Sequence, residues 1–303
     1  MQHLVTYPLV SHPHSPELVT KQAIVRFATR AEELGYGAIG FTDHPAPSHR
    51  WLTSGGHDAL DPFVAFGVVA AVTEQLRLVP NILVLPYRNP FVVAKAAATL
   101  DALSGGRFTL AVATGYQRGE YRALGVDFED RNDLFDEALQ VIAGIWTTDD
   151  YAHEGRTFTA TGQTVNPKPG RIPVWIGGNS ALSRRRAATV GDGWTPFAAS
   201  ALLARTAKTP VLETVDDFVP MLDHLRRCTE EAGRDPAEID ISLQALGCVP
   251  PGEAGFDPGQ HLDVLGSLAE LGVTWTGMSV PGDSLDHALD ALEHYAETVI
   301  KAG

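Results

Sequence analysis

The sequence predicts a (β/α)8 barrel, and three observations lead to it. Short runs rich in β-branched and aromatic residues alternate with longer helical patterns eight times along the chain, the rhythm of parallel βα units. At 303 residues with 44% apolar side chains, the chain is long enough for an α/β barrel with one large core. No strand is followed directly by Gly-x-Gly-x-x-Gly, so the competing open sheet, which would hold ligand at a switch point, lacks its nucleotide-binding mark.

Leu4 to Tyr7 is the first strand and Glu17 to Leu34 its helix, closed by Gly35 as a left-handed cap. Ala38 to Phe41 is the second strand; its helix runs from Pro62 to Thr73, with Asp61 at the cap and Pro62 in the first turn. The third strand is Leu76 to Leu83, and Asn89-Pro90 opens a helix that ends at Leu103 before Ser104-Gly105-Gly106. Phe108 to Ala113 is the fourth strand, followed by helical segments Glu120 to Leu124 and Asp133 to Trp146. Pro173 to Ile176 and the helix from Ser180 to Val190 make the fifth unit, and Trp194-Thr195 is a short sixth strand before the helix Asp216 to Ala232. Ile239 to Leu246 with Gln260 to Leu271, then Val273 to Val280 with Ser284 to Ile300, complete the barrel. The expectation is one domain over 1–303, with irregular insertions near 148–169, holding at most a hairpin, and near 197–214.

Lys and Arg number 23 against 37 Asp and Glu, a formal net charge of −14. That balance argues against nucleic acid and against an anionic membrane surface as partners. Cys228 and Cys248 form neither a metal spacing nor a disulfide framework. Met1 to Val10 lacks a basic segment before a long apolar run, so no signal peptide is expected, and no stretch approaches the roughly 18 apolar residues of a membrane span. A cytoplasmic enzyme acting on a small molecule is the expectation.

A barrel places its chemistry on the loops after the strands. Gly177-Gly178-Asn179-Ser180 joins a strand to a helix, so unpaired N–H groups point outward at a positive helix end, a ready anion site. Arg184-Arg185-Arg186 follows, the densest positive run in the chain; the same residues also suit an ordinary capped turn with a solvated face. Asp43-His44 offers a carboxylate to orient an imidazole and a side chain that exchanges protons near neutral pH, or equally a loop-entry cap beside Pro45. His12-Pro13-His14 has a metal-ligand spacing, yet both histidines fall on a loop and later strand ends offer no matching ligands, so no metal is expected. Glu74, Glu120 and Asp149-Asp150 form no convincing two-carboxylate arrangement for glycoside hydrolysis, and no Gly-x-Ser-x-Gly elbow is present.

Several segments, in order, resemble one family: Phe41-Thr-Asp-His44, Ile82-Leu-Val-Leu-Pro-Tyr-Arg-Asn-Pro90, Leu103-Ser-Gly-Gly-Arg-Phe108, Ile172-Pro-Val-Trp-Ile-Gly-Gly-Asn-Ser180 and Gly191-Asp-Gly-Trp194. Together they resemble the luciferase-like monooxygenase superfamily, in the branch that depends on the deazaflavin coenzyme F420. The resemblance implies a luciferase-like barrel, a homodimer, and a flavin-type ring at the barrel mouth over a non-proline cis peptide at Asn81-Ile82. It implies cofactor contacts from Asp43, Asn81, Ile82, Thr114, Gly115, Gln117, Gly177, Gly178, Asn179 and Ser180, with the phosphate on the glycine loop. His44 would handle the proton, with Asp43 beside it at the ring edge. His12, Trp51 and Tyr116 would line the substrate pocket, with His14, His49 and the 197–214 stretch at its rim. Tyr116 stands where a sugar-phosphate dehydrogenase branch carries an acidic glutamate, so that branch's chemistry is in doubt. Thr109 stands where luciferase-type FMN enzymes often carry an arginine, which tilts the expectation from FMN to F420. The implied activity is hydride transfer between deazaflavin C5 and a small organic substrate; the alternatives are an FMN-dependent monooxygenase and a flavin- or deazaflavin-binding protein without catalysis.

Overall fold

Residues 1–302 are described by a computed structural model. Its strands are β1 (Gln2–Thr6), β2 (Ala38–Gly40), β3 (Arg77–Leu78), β4 (Leu83–Val84), β5 (Leu110–Ala113), β6 (Tyr151–Glu154), β7 (Thr159–Gln163), β8 (Val174–Gly177), β9 (Gly193–Thr195), β10 (Asp240–Ile241) and β11 (Trp275–Met278). Two parallel runs, β11-β1-β2-β3 and β10-β9-β8-β5-β4, make up the wall. Parallel bridges join them at both seams, Leu78 with Phe108 and Ser242 with Trp275. The Thr109 N–H donates to Leu78 O and the Leu243 N–H to Trp275 O, each at 3.0 Å. With β3 and β4 as two halves of one interrupted strand, the ring is a closed eight-stranded parallel barrel.

The break between β3 and β4 corrects the continuous third strand read from the sequence; the Asn81–Ile82 peptide there is cis. The motif around Arg107 has a structural purpose at the opposite end of that strand. Its guanidinium donates to Thr73 O at 2.8 Å and Leu76 O at 2.7 Å, fastening the turn that enters β3. Inside the ring, Leu4, Ala38, Val79, Ala111, Trp175 and Trp275 fill the barrel as one packed layer.

The helices are α1 (Lys21–Glu33), α2 (His49–Leu52), α3 (Pro62–Ala70), α4 (Pro90–Leu103), α5 (Arg118–Ala123), α6 (Arg131–Thr147), α7 (Ala181–Val190), α8 (Ala201–Ala207), α9 (Val215–Glu231), α10 (Pro258–Glu270) and α11 (Leu285–Tyr295). Caps start them where side-chain chemistry directs. Asp61 accepts the Val64 N–H at 3.1 Å, and Asn89 accepts that of Phe91 at 2.9 Å. Thr20 accepts the Ala23 N–H at 3.2 Å, so the long helix expected from Glu17 divides into a 3-10 turn and α1. The first insertion is the hairpin β6–β7. The second carries α8, where an irregular stretch was expected, and its ends are pinned by an Ala199–Leu212 bridge. Among the described residues no helix is long and apolar enough to cross a membrane.

Candidate active site

The C-terminal strand ends surround a cleft of about 820 Å³, floored by Leu4, Ala111 and Trp175. A second depression, about 860 Å³ and lined by Pro13, His14, Glu253 and Asp283, is a wide surface dish among the loops that follow β1, β10 and β11. Only the first opens onto the barrel interior, through Leu4, Val79, Ala111 and Trp175, where a barrel enzyme holds its ligand.

His44 follows β2 and is nine-tenths enclosed, with side-chain exposure of 12%. Its Nδ1 lies 3.0 Å from Oε2 of Glu120, which sits in the first turn of α5 and is wholly buried. A buried carboxylate can only accept here, so Nδ1 carries the proton and Nε2 is left for the cleft. Glu120 is itself held by the Ala46 N–H at 3.1 Å and the Tyr87 hydroxyl at 3.2 Å. Trp51 covers His44 at a ring separation of 4.5 Å, and His57 meets it edge-on at 4.9 Å. His57 directs Nδ1 to Asp58 O at 3.0 Å, so it too turns Nε2 outward, and burial depresses its pKa. The two imidazoles make one polar wall of the cleft, under the indole.

Asp43 does not orient His44, as its position in the sequence suggested. Arg88 grips both of its oxygens at 2.6 and 2.8 Å, and the Val84 N–H donates to it at 2.9 Å. The carboxylate thereby ties the loop after β2 to β4, and its charge is neutralised at the cleft wall. Opposite, Asn81 donates to Thr6 Oγ1 at 2.9 Å, and Ile82 also faces the cleft. Close approach explains two glycines here: a Cβ on Gly177 would meet Ile82 Cδ1 at 2.3 Å, and one on Gly115 would meet Val84 Cγ1 at 2.6 Å.

The glycine loop is built rigidly. Gly178 takes φ +106°, its N–H donates to Thr195 O at 3.1 Å, and its carbonyl accepts from the Trp194 indole at 2.9 Å. Asn179 is fully buried, and its amide bonds Phe197 O at 2.9 Å, Pro210 O at 3.3 Å and the Phe197 N–H at 3.0 Å. That side chain is a strap on the second insertion, so the loop offers backbone N–H groups instead, with the hydroxyls of Ser180 and Ser183 beside them. Ser180 caps α7 through the Ser183 N–H at 3.0 Å, while the N–H groups of Ala181 and Leu182 keep no protein acceptor among the described residues.

Other expected residues fall elsewhere. Thr114, Gly115 and Tyr116 line the cleft; Gln117 instead packs behind the imidazole, its amide nitrogen 3.2 Å from His44 Nδ1, a contact and not a hydrogen bond once Nδ1–H is donated to Glu120. Burial, then the charge of Glu120, raises the Tyr116 pKa, so the phenol stays protonated. His12 is outside the cleft, bonded with His14 to a shared Asp58 oxygen at 2.9 and 2.7 Å, and His49 packs edge-on to it at 6.3 Å. Trp51 is not among the cleft-lining residues and meets the site through the rings of His44 and His57. The basic run does not reach ligand: Arg184 is buried under the loop on Asn179 O at 2.6 Å, and Arg186 pairs with Asp136 at 2.6 Å. Thr109 lies at the opposite barrel end, bonded by Arg77 at 2.8 Å, and so says nothing about FMN against F420. Glu120 and His57 were missed, because neither has a local pattern that marks it. Among the described residues, no group of three or more His, Cys, Asp or Glu is placed to hold a metal ion.

The charges around the cleft run against those of the chain. Its lining carries Arg118, Arg131 and Lys208, and its single carboxylate is Asp43, already paired with Arg88.

The chain resembles known proteins in both sequence and fold. An uncharacterised protein of Mycobacterium tuberculosis is 29% identical over 299 residues, covering 91% of this chain and 94% of its own. An F420-dependent glucose-6-phosphate dehydrogenase of Beutenbergia cavernae is 28% identical over 326 residues, covering 94% of both. Among solved structures, a monooxygenase from Streptomyces bottropensis superposes with a TM-score of 0.81 at 17% identity, over 100% of this chain and 99% of that one. An F420-dependent secondary alcohol dehydrogenase in complex with an F420–acetone adduct superposes at 0.76 and 17% over the full length of both. The family profile described as luciferase-like monooxygenase matches residues 2–254. The chain belongs to the luciferase-like monooxygenase family.

Proposed function

We propose that this chain is an F420-dependent oxidoreductase that moves a hydride between the deazaflavin and a small organic substrate. The observation that carries the reading is the cleft itself: a positive lining in a chain of net charge −14, with the His44–Glu120 pair at one wall. The residues present fit the cofactor. The N–H group of Leu182, with the Ser180 and Ser183 hydroxyls, would hold its phosphate; Asn81, Ile82, Gly115 and Gly177 would border the ring. When bound, the deazaflavin supplies the carbon that gives or accepts the hydride.

The chain's own share is proton transfer and positioning. Neutral His44 presents the Nε2 lone pair to the cleft and takes the substrate hydroxyl proton in the oxidising direction; as imidazolium it returns that proton in the reducing one. Glu120 fixes the Nδ1–H tautomer and stabilises the imidazolium. Trp51 shields the pair from bulk water. An alcohol or carbonyl oxygen lying against His44 is therefore the reacting group of the substrate. We also propose that the chain acts in the cytoplasm as a homodimer, which sedimentation would test.

Titration of the purified protein with F420 and with FMN, followed by cofactor fluorescence, tests the reading. Saturable F420 binding at least tenfold tighter than FMN supports it. Preferential FMN binding would favour a flavin monooxygenase, and binding of neither would end the proposal.

A further inference from the structure

Arg118, at the start of α5, and Arg131, at the start of α6, both stack on Phe128, with guanidinium carbons 4.1 and 3.9 Å from the ring centroid. Two like charges held against one ring repel each other, and a purely structural contact needs only one. The compensating acid is Glu129, 2.6 Å from Arg118 and 3.9 Å from Arg131, and it is 67% exposed, so solvent screens it heavily. Arg131 is also fixed by its bond to Phe128 O at 2.8 Å, which leaves its fork pre-set. Both cations line the cleft. They lie on the α7 side of the cleft: Arg186 of α7 donates to Asn132 Oδ1 at 3.2 Å, one position beyond Arg131, and Leu182 and Ser183 of the α7 first turn line the same cleft.

We propose that Arg118, Phe128 and Arg131 form a clamp for a carboxylate-bearing tail that continues past the phosphate of the bound cofactor. The proposal rests on the reading that the cleft takes F420, and it names the feature that separates F420 from FMN. FMN ends at its phosphate; F420 goes on into glutamate units whose carboxylates match planar guanidinium forks. A clamp beyond the α7 turn therefore sees one cofactor and not the other. Stacking on Phe128 pre-orders both forks, so little side-chain freedom is lost on binding.

The test compares F420 carrying its glutamate tail with the tail-free form lacking phosphate and glutamates, and with FMN, in the wild-type protein and in Arg118→Gln, Arg131→Gln and the double variant. Dissociation constants are read by fluorescence across a range of salt. The expected result is a loss of about tenfold or more for tailed F420 in the double variant and a flatter salt dependence, with tail-free and FMN binding unchanged. Arg131→Lys, which keeps charge but not the stacked fork, should fall between. Equal loss for all three ligands, or no loss for tailed F420, overturns the clamp. Wild-type protein that binds FMN but neither deazaflavin overturns the F420 reading as well, and wild-type protein that binds tailed F420 with an intact double variant overturns the clamp alone.

Discussion

Glu120 is the residue whose meaning changes most on folding. In the sequence it is one acid among 37 Asp and Glu residues, dismissed for want of a carboxylate partner. In the fold it is fully buried and bonded to an imidazole 76 positions away, a relation no local pattern encodes. His44, by contrast, was legible, because a histidine just past a strand end is aimed at the mouth by the architecture. The place of Asp43 in the cleft wall was legible but its partner was not, since only the closed ring brings Arg88 to it. The expected split follows. His44→Ala should slow turnover far more than it weakens cofactor binding, and equal turnover in the variant would remove His44 from the mechanism. Glu120→Gln keeps the shape and removes the charge that favours the imidazolium. It should lower kcat for alcohol oxidation by about ten- to a hundredfold, with cofactor affinity unchanged. An unchanged kcat in Glu120→Gln would reduce Glu120 to a packing residue.

At the scale of elements, the caps and breakers were readable because their chemistry is local: Asp61-Pro62 and Asn89-Pro90 start helices where they stand. Thr20 was overlooked as a cap inside an apparently continuous helical pattern, and α8 was overlooked because it is short and closes at Lys208 in a left-handed conformation without a glycine. The triple-arginine run shows the limit of charge reading. Arg184 braces the loop from below and Arg186 ties α7 to α6, so what the loop offers an anion is backbone N–H groups that composition cannot reveal. Asn179 links that loop to the second insertion. Asn179→Ala should lower stability by about 1–3 kcal/mol, since it leaves the buried Phe197 and Pro210 backbone groups unpaired, and should weaken cofactor binding as the loop loosens. Chemical denaturation with cofactor titration checks both, and an unchanged midpoint would show that the strap carries no load.

At the scale of the whole molecule, the fold was legible from the alternation of strands and helices, while the field inside the barrel mouth was not. A net charge of −14 describes the exterior; the cleft gathers three cations around one neutralised carboxylate. The same burial makes the protein sensitive to acid. Burial lowers the His3 pKa from 6.5 to about 4 and that of His57 in the same direction, so the unfolded chain binds more protons as pH falls. Their contribution is whole above the ordinary histidine pKa and is lost as pH drops through it towards 4; His3 alone accounts for on the order of 3 kcal/mol. His3→Gln should flatten the stability–pH curve between pH 7 and 4 in denaturant titrations. The most direct measurement for the account as a whole is anaerobic turnover of F420 with a panel of small alcohols, followed by cofactor absorbance in wild-type and His44→Ala protein. The account predicts reduction of F420 by at least one alcohol without oxygen, and its loss in the variant; turnover only with reduced FMN and with consumption of oxygen would contradict it.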